Sequence, residues 1–192
     1  MRNLIETSEL QSAEGWTSTI VNGVLITTIT FAADLVGVVQ FPWAVFGVSG
    51  FYVGAPIITL AALAGGRAAF PAIYVGLLAA AAVTGRFSAF ALVLNFCNLF
   101  GVLFPYLIYR VYRSDWRLRG PVDVARYIWW AGIIQSTASA MWFFGGLWLV
   151  GAMDGGTIKM AAIGWISGGV AAQFIVGVPL ILAASKLLRR RN

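Results

Sequence analysis

The chain has no histidine, one cysteine and few charges, with 10% of its 192 residues being Asp, Glu, Lys or Arg. Without histidine there is no bis-His haem, no His-rich zinc or copper site, and no Ser-His-Asp or Cys-His machinery. The single thiol, Cys97, excludes disulfides and iron–sulfur clusters within the chain. An ordinary soluble domain is about 25% charged and about 45–50% apolar, whereas 60% of this chain is hydrophobic. A soluble enzyme and a disordered chain are therefore not expected, and no cofactor or metal is implied.

What the chain does have is apolar runs near the roughly 20 residues that a spanning helix needs. They fall at about 16–39, 43–64, 68–85, 87–109, 127–150 and 159–184. The breaks are Gln40-Phe41-Pro42, Gly65-Gly66-Arg67, Gly85-Arg86, the stretch 110–126 and Asp154-Gly155-Gly156. The expected fold is an all-α integral membrane protein with six transmembrane helices in one bundle. Residues 1–15 read as a polar cytoplasmic tail, not a signal peptide, because no basic segment leads into an apolar one. Residues 16–185 form the membrane domain, and 186–192 a basic cytoplasmic tail.

A net charge of +6 raises nucleic acid as a partner, but the basic residues lie between apolar runs and form no basic face. They set orientation instead. With both termini on one side, that side receives 11 of the 13 Lys and Arg residues, and the other only Arg86 and Lys159. Positive-inside bias then places both termini in the cytoplasm of a cell-membrane protein. An odd number of helices would put the C-terminal cluster outside.

The helices are rich in small residues, including Gly132, Ser136 and Ala140, then Gly164, Gly168 and Ala172. Such stripes allow close helix packing in lipid, either inside the bundle or against another subunit. Asp34 is the one ionisable side chain well inside a run, near the outer end of the first. An ionisable group there is a functional candidate, touching ligand or standing as a structural carboxylate paired to Arg86 or Lys159. Asn95 and Asn98 share one helix face, helix 5 carries Gln135-Ser136-Thr137-Ala138-Ser139, helix 6 has Gln173, and helix 2 has Ser49 and Tyr52. Amides in hydrocarbon need partners, which interhelical hydrogen bonds or a cavity would provide.

Trp43, Trp142, Phe143, Phe144, Trp148 and Trp165 belong to the outer half, and Trp142 and Trp165 lie deeper than an interfacial belt requires. Aromatic walls with a few convergent polar groups describe a small-molecule pocket open to the outside. Its expected lining is Asp34, Gln40, Trp43, Tyr52, Asn95, Gln135, Trp142 and Trp165. Pro42, Pro56, Pro105 and Pro179 break helix regularity, and the start of helix 2 is the expected pocket-lining kink. In the cytoplasmic loop, Arg113, Trp116, Arg117 and Arg119 either contact a partner or anionic lipid, or only enforce topology.

The stretch Gly54-Ala55-Pro56-Ile57 through Ala64-Gly65-Gly66-Arg67, with Pro71 and Gly76, resembles a helix–Gly-turn–helix segment of the substrate-capture (S) subunits of energy-coupling-factor vitamin importers. That resemblance implies a vitamin-like ligand bound near the outer face, and a partner transmembrane subunit with two cytoplasmic ATPases. Residues 63–76 (LAGGRAAFPAIYVG), 113–127 (RSDWRLRGPVDVARY) and Trp165, Gly169 and Pro179-Leu180 resemble the membrane-associated sensor domains that precede kinases and diguanylate cyclases. Those domains carry an acidic residue just after the glycine, where this chain has Val170. The expectation is a non-enzymatic binding subunit of an importer, with a sensory module or a structural subunit as alternatives.

Overall fold

The computed structural model describes residues 19–35, 38–39, 51–112 and 116–189, and the side chains at 38, 39, 90, 91, 94 and 187–189 are not part of that description. Gln40, Trp43 and Arg113 lie outside the described residues. The described chain is all-helical apart from one two-residue strand pair. Helix α1 covers Thr19–Leu35. Strands β1 (Val38–Val39) and β2 (Phe51–Tyr52) pair antiparallel, with Val38 opposite Tyr52. There follow α2 (Gly54–Gly65), a 3₁₀ turn (Gly66–Ala68), α3 (Ala69–Val83) and α4 (Ala89–Val111). A continuous helix is then built from α5 (Pro121–Tyr127), a π-helical stretch (Ile128–Ile134) and α6 (Gln135–Leu149). The last joins α7 (Gly155–Ala172), a second π stretch (Gln173–Gly177) and α8 (Val178–Arg189).

Each break follows from local chemistry. Gly66, Gly85 and Gly151 have φ of +65°, +69° and +67°, the left-handed region that ends helices and favours glycine. At Gly66 the chain reverses, so α2 packs back along α3: Ile58 and Ala62 share one core with Ala69, Ile73 and Leu77. Pro121 opens α5 at a position where its fixed φ suits the first turn. Asp154 caps α7, its Oδ1 accepting from the Gly156 and Thr157 amides at 2.9 and 3.0 Å.

One expectation changes at the entry to α2. The apolar runs were read as helical through 39 and again from 43, but 38–39 and 51–52 are strand and α2 begins at Gly54. Short runs of β-branched and aromatic residues suit a strand as well as a helix, and apolarity alone does not separate the two.

Consecutive helices run antiparallel. Phe70 and Tyr74 of α3 meet Tyr106 and Phe96 of α4. Phe96 and Phe100 meet Trp142 of α6, and Ser139 of α6 meets Trp165 of α7. Helix α1 lies parallel to α3, with the Thr27 hydroxyl donating to the Ala72 carbonyl at 3.1 Å. A side chain at Gly76 would stand 2.7 Å from the Thr27 carbonyl, so glycine is needed there. Gly101 gives α4 the same approach to α6, since a side chain there would stand 2.8 Å from the Gln135 carbonyl. The stripe Gly132, Ser136 and Ala140 is buried within the molecule, and Ser136 occupies the space beside Gly169 that any side chain there would fill. This stripe serves internal packing.

The alternation gathers Arg67, Arg110, Arg119 and Arg126 at one end of the bundle, and Asp34, Arg86, Asp154 and Lys159 at the other. The run Gly155–Lys186 is long and apolar enough to cross a membrane; Gly54–Val83 passes the same test by total length, but it reverses at Gly66 into helices of 12 and 15 residues.

Candidate functional site

The strand pair positions the first polar centre. It brings β2 back beside the end of α1, so that the Tyr52 hydroxyl donates to Asp34 Oδ1 at 2.7 Å. The Tyr52 ring lies over Gly54, leaving no room for a side chain there, and packs against the core shared by α2, α3 and α4. Asp34 and Tyr52 are both half-buried. Arg86 and the buried Cys97 lie near enough to act on this pair electrostatically. A carboxylate with one oxygen bonded by a phenol, and a guanidinium at the same end, can bind a polar or cationic group by charge and hydrogen bonds.

A second centre sits deeper and was only partly anticipated. Tyr127 donates to Gln173 Oε1, and Gln173 Nε2 donates to Thr59 Oγ1 at 3.0 Å. The Thr59 hydroxyl faces Gln135 Oε1 and the Ala55 carbonyl, both at 2.8 Å. Thr59, Tyr127 and Gln173 are fully buried, and Gln135 nearly so. Interhelical pairing thus accounts for Gln135, one of the expected ligand contacts. The two π-helical stretches, each adjoining one of these glutamines, pack against each other. Sequence reasoning missed Thr59 and Tyr127, because a hydroxyl within an apolar run gives little signal of its own.

The expected pocket lining is spread over separate places. Asp34 and Tyr52 are brought together, whereas Trp142 lies on the bundle exterior, its indole donating to the Val93 carbonyl at 3.0 Å. Trp165 donates to Ser139 Oγ at 3.1 Å and stacks on Phe143 with centroids 5.1 Å apart. Asn95 is half-buried on α4, as is Asn98. In the loop between α4 and α5, Trp116 packs beside Leu118 and Tyr127 as part of the bundle's own core, Arg117 is half-buried and Arg119 exposed. Among the described residues no three His, Cys, Asp or Glu side chains gather as metal ligands.

No family model matches the chain, and no curated protein or solved structure matches it.

Proposed function

We propose that the chain is a six-span protein of the cell membrane, with both termini cytoplasmic, that captures a small molecule at its outer end without altering it. In this reading it serves an importer as its substrate-binding subunit, beside a transmembrane partner with cytoplasmic ATPases. The membrane part is supported by what the helices leave uncovered. The apolar runs at Gly54–Val83 and Gly155–Lys186 are only 39% and 33% buried, where the core helix of a soluble protein would be mostly covered. Ile20, Val24, Phe174 and Ile175 are at least 60% exposed, a pattern suited to hydrocarbon contact. The antiparallel alternation and the basic end described above agree with the charge asymmetry along the chain.

The observation that carries the binding role is the Asp34–Tyr52 pair, a half-buried carboxylate at the end of the bundle opposite the basic one. Asp34 lies at the end of α1, where a charge costs less than the roughly 2.5–3.5 kcal/mol of a helix centre, and an ionisable side chain in a spanning segment is by default a functional candidate. The test is mass spectrometry of the purified protein for a retained small molecule, followed by Trp fluorescence across a vitamin panel. Asp34→Asn and Tyr52→Phe should each weaken binding at least tenfold while expression stays near that of the parent. Unchanged affinity in both variants would remove the site, and no retained or bound ligand would remove the function.

A second reading, a sensory module, is favoured by the paired π-helical stretches at Gln135 and Gln173, since π segments recur where helices change register. Copurification distinguishes the two: an ATPase-bearing membrane complex supports import, and a kinase or cyclase supports sensing.

A further inference from the structure

Between α3 and α4 runs a groove of about 340 Å³, lined by Phe70, Pro71 and Tyr74 on one side and Phe96, Phe100 and Leu103 on the other. Its walls are wholly apolar. The one hydroxyl among these side chains, on Tyr74, is spent on the Leu92 carbonyl at 2.7 Å. Such a space gives water no partners and accepts only hydrocarbon. The half-exposed Phe96 at its edge faces away from the bundle interior.

The cytoplasmic end of the groove is charged. Phe70 touches Tyr106 edge-on at 5.1 Å, and Arg110 Nη1 donates to the Tyr106 hydroxyl at 3.3 Å. Arg67 stands three residues before Phe70, on the turn into α3. Both guanidiniums are exposed, and among the described residues neither is paired with a carboxylate, in contrast to Arg126, which meets Asp123 at 3.6 Å. Leu103 and Arg110 are two helical turns apart, about 10 Å, less than the length of an acyl chain. An apolar slot ending at two unpaired guanidiniums is complementary to an amphiphile with an anionic head.

We infer that this groove seats an acyl chain of an anionic phospholipid whose phosphate is held by Arg67 and Arg110. The inference rests on the membrane reading above and not on the Asp34 site. Phosphate suits guanidinium geometry, which offers paired donors in one plane. The site is a lateral one, filled from the bilayer.

The delipidated protein is titrated with dioleoyl-phosphatidylglycerol and with dioleoyl-phosphatidylcholine, and bound lipid is counted by native mass spectrometry. Phosphatidylglycerol should be preferred by roughly thirtyfold, about fivefold for each arginine. R67Q with R110Q should bring that ratio close to one, and Leu103→Trp should weaken both lipids alike by filling the slot. Equal binding of the two lipids by the parent overturns the proposal, as does a preference that survives the double substitution. Displacement of the lipid by millimolar inorganic phosphate also overturns it, in favour of a free-anion site. Flotation with liposomes separates the two readings: a chain that does not float overturns both, and one that floats without headgroup preference overturns only the lipid site.

Discussion

At Thr59 one hydroxyl hydrogen faces two acceptors, the Ala55 carbonyl and Gln135 Oε1, while its oxygen accepts from Gln173 Nε2. The residue links α2, α6 and the second π stretch through a single atom. Thr59→Val keeps the shape and removes the atom, taking from Gln135 Oε1 its donor and from Gln173 Nε2 its acceptor, while Gln173 Oε1 keeps Tyr127. An unsatisfied buried polar group costs about 1–3 kcal/mol, and membrane pairs average nearer 0.6 kcal/mol, so we expect a loss of about 1–2 kcal/mol in detergent-based unfolding. Gln173→Leu should be similar alone, and the double variant should lose clearly less than the sum, because both remove the same contact. Additive losses would show that the two residues act independently. Gln135 and Gln173 stand out in the sequence as amides within apolar runs, but their shared partner does not. Threonine is unremarkable in a spanning helix, where it satisfies its own hydroxyl on the preceding turn, as Thr59 also does toward Ala55. The same limit holds at the Asp34 end of the bundle, where Asp34 and Tyr52 each stand out but their mutual bond depends on a strand pair that apolarity alone does not reveal.

Helix ends were more open to sequence reasoning than helix contents. Gly66, Gly85 and Asp154 all fall at breaks expected from residue type, since positive φ and capping act locally. The Asp154 carboxyl is held below its ordinary value of 3.8 by the Thr157 hydroxyl first, then by the Thr157 and Gly156 amides. A carboxyl depressed in the folded state stabilises above its unfolded value, and that contribution is lost as pH falls through the folded one. The start of α7 should therefore keep its amide protection at Gly156 and Thr157 from neutral pH down to about the ordinary aspartate range, and fray below it. Asp154→Ala should show the frayed pattern at every pH. Hydrogen exchange across a pH series reads both. Close helix contacts behave differently from caps: Gly101→Leu should destabilise by about 1–3 kcal/mol through overpacking against Gln135. Gly164→Ala, with nothing within 4 Å of its new methyl, should leave thermal unfolding almost unchanged.

For the molecule as a whole, the arrangement of the two charged ends makes a directional prediction. In a Cys97→Ser background, Arg86→Cys should react with a membrane-impermeant maleimide from outside intact cells, and Arg119→Cys only after the membrane is opened. Labelling of both from the same side would refute the six-span arrangement proposed above. The contact of α1 with α3 has a further consequence for how the chain is made. Thr27 donates to a carbonyl 45 residues further along, which a ribosome delivers roughly two to nine seconds later at about 5–20 residues per second. During that interval the face of α1 that carries Thr27 and Thr30 lacks its partner, until the chain turns at Gly66 and brings Gly76 alongside. Helix α1 is thus made well before the contact that seats it.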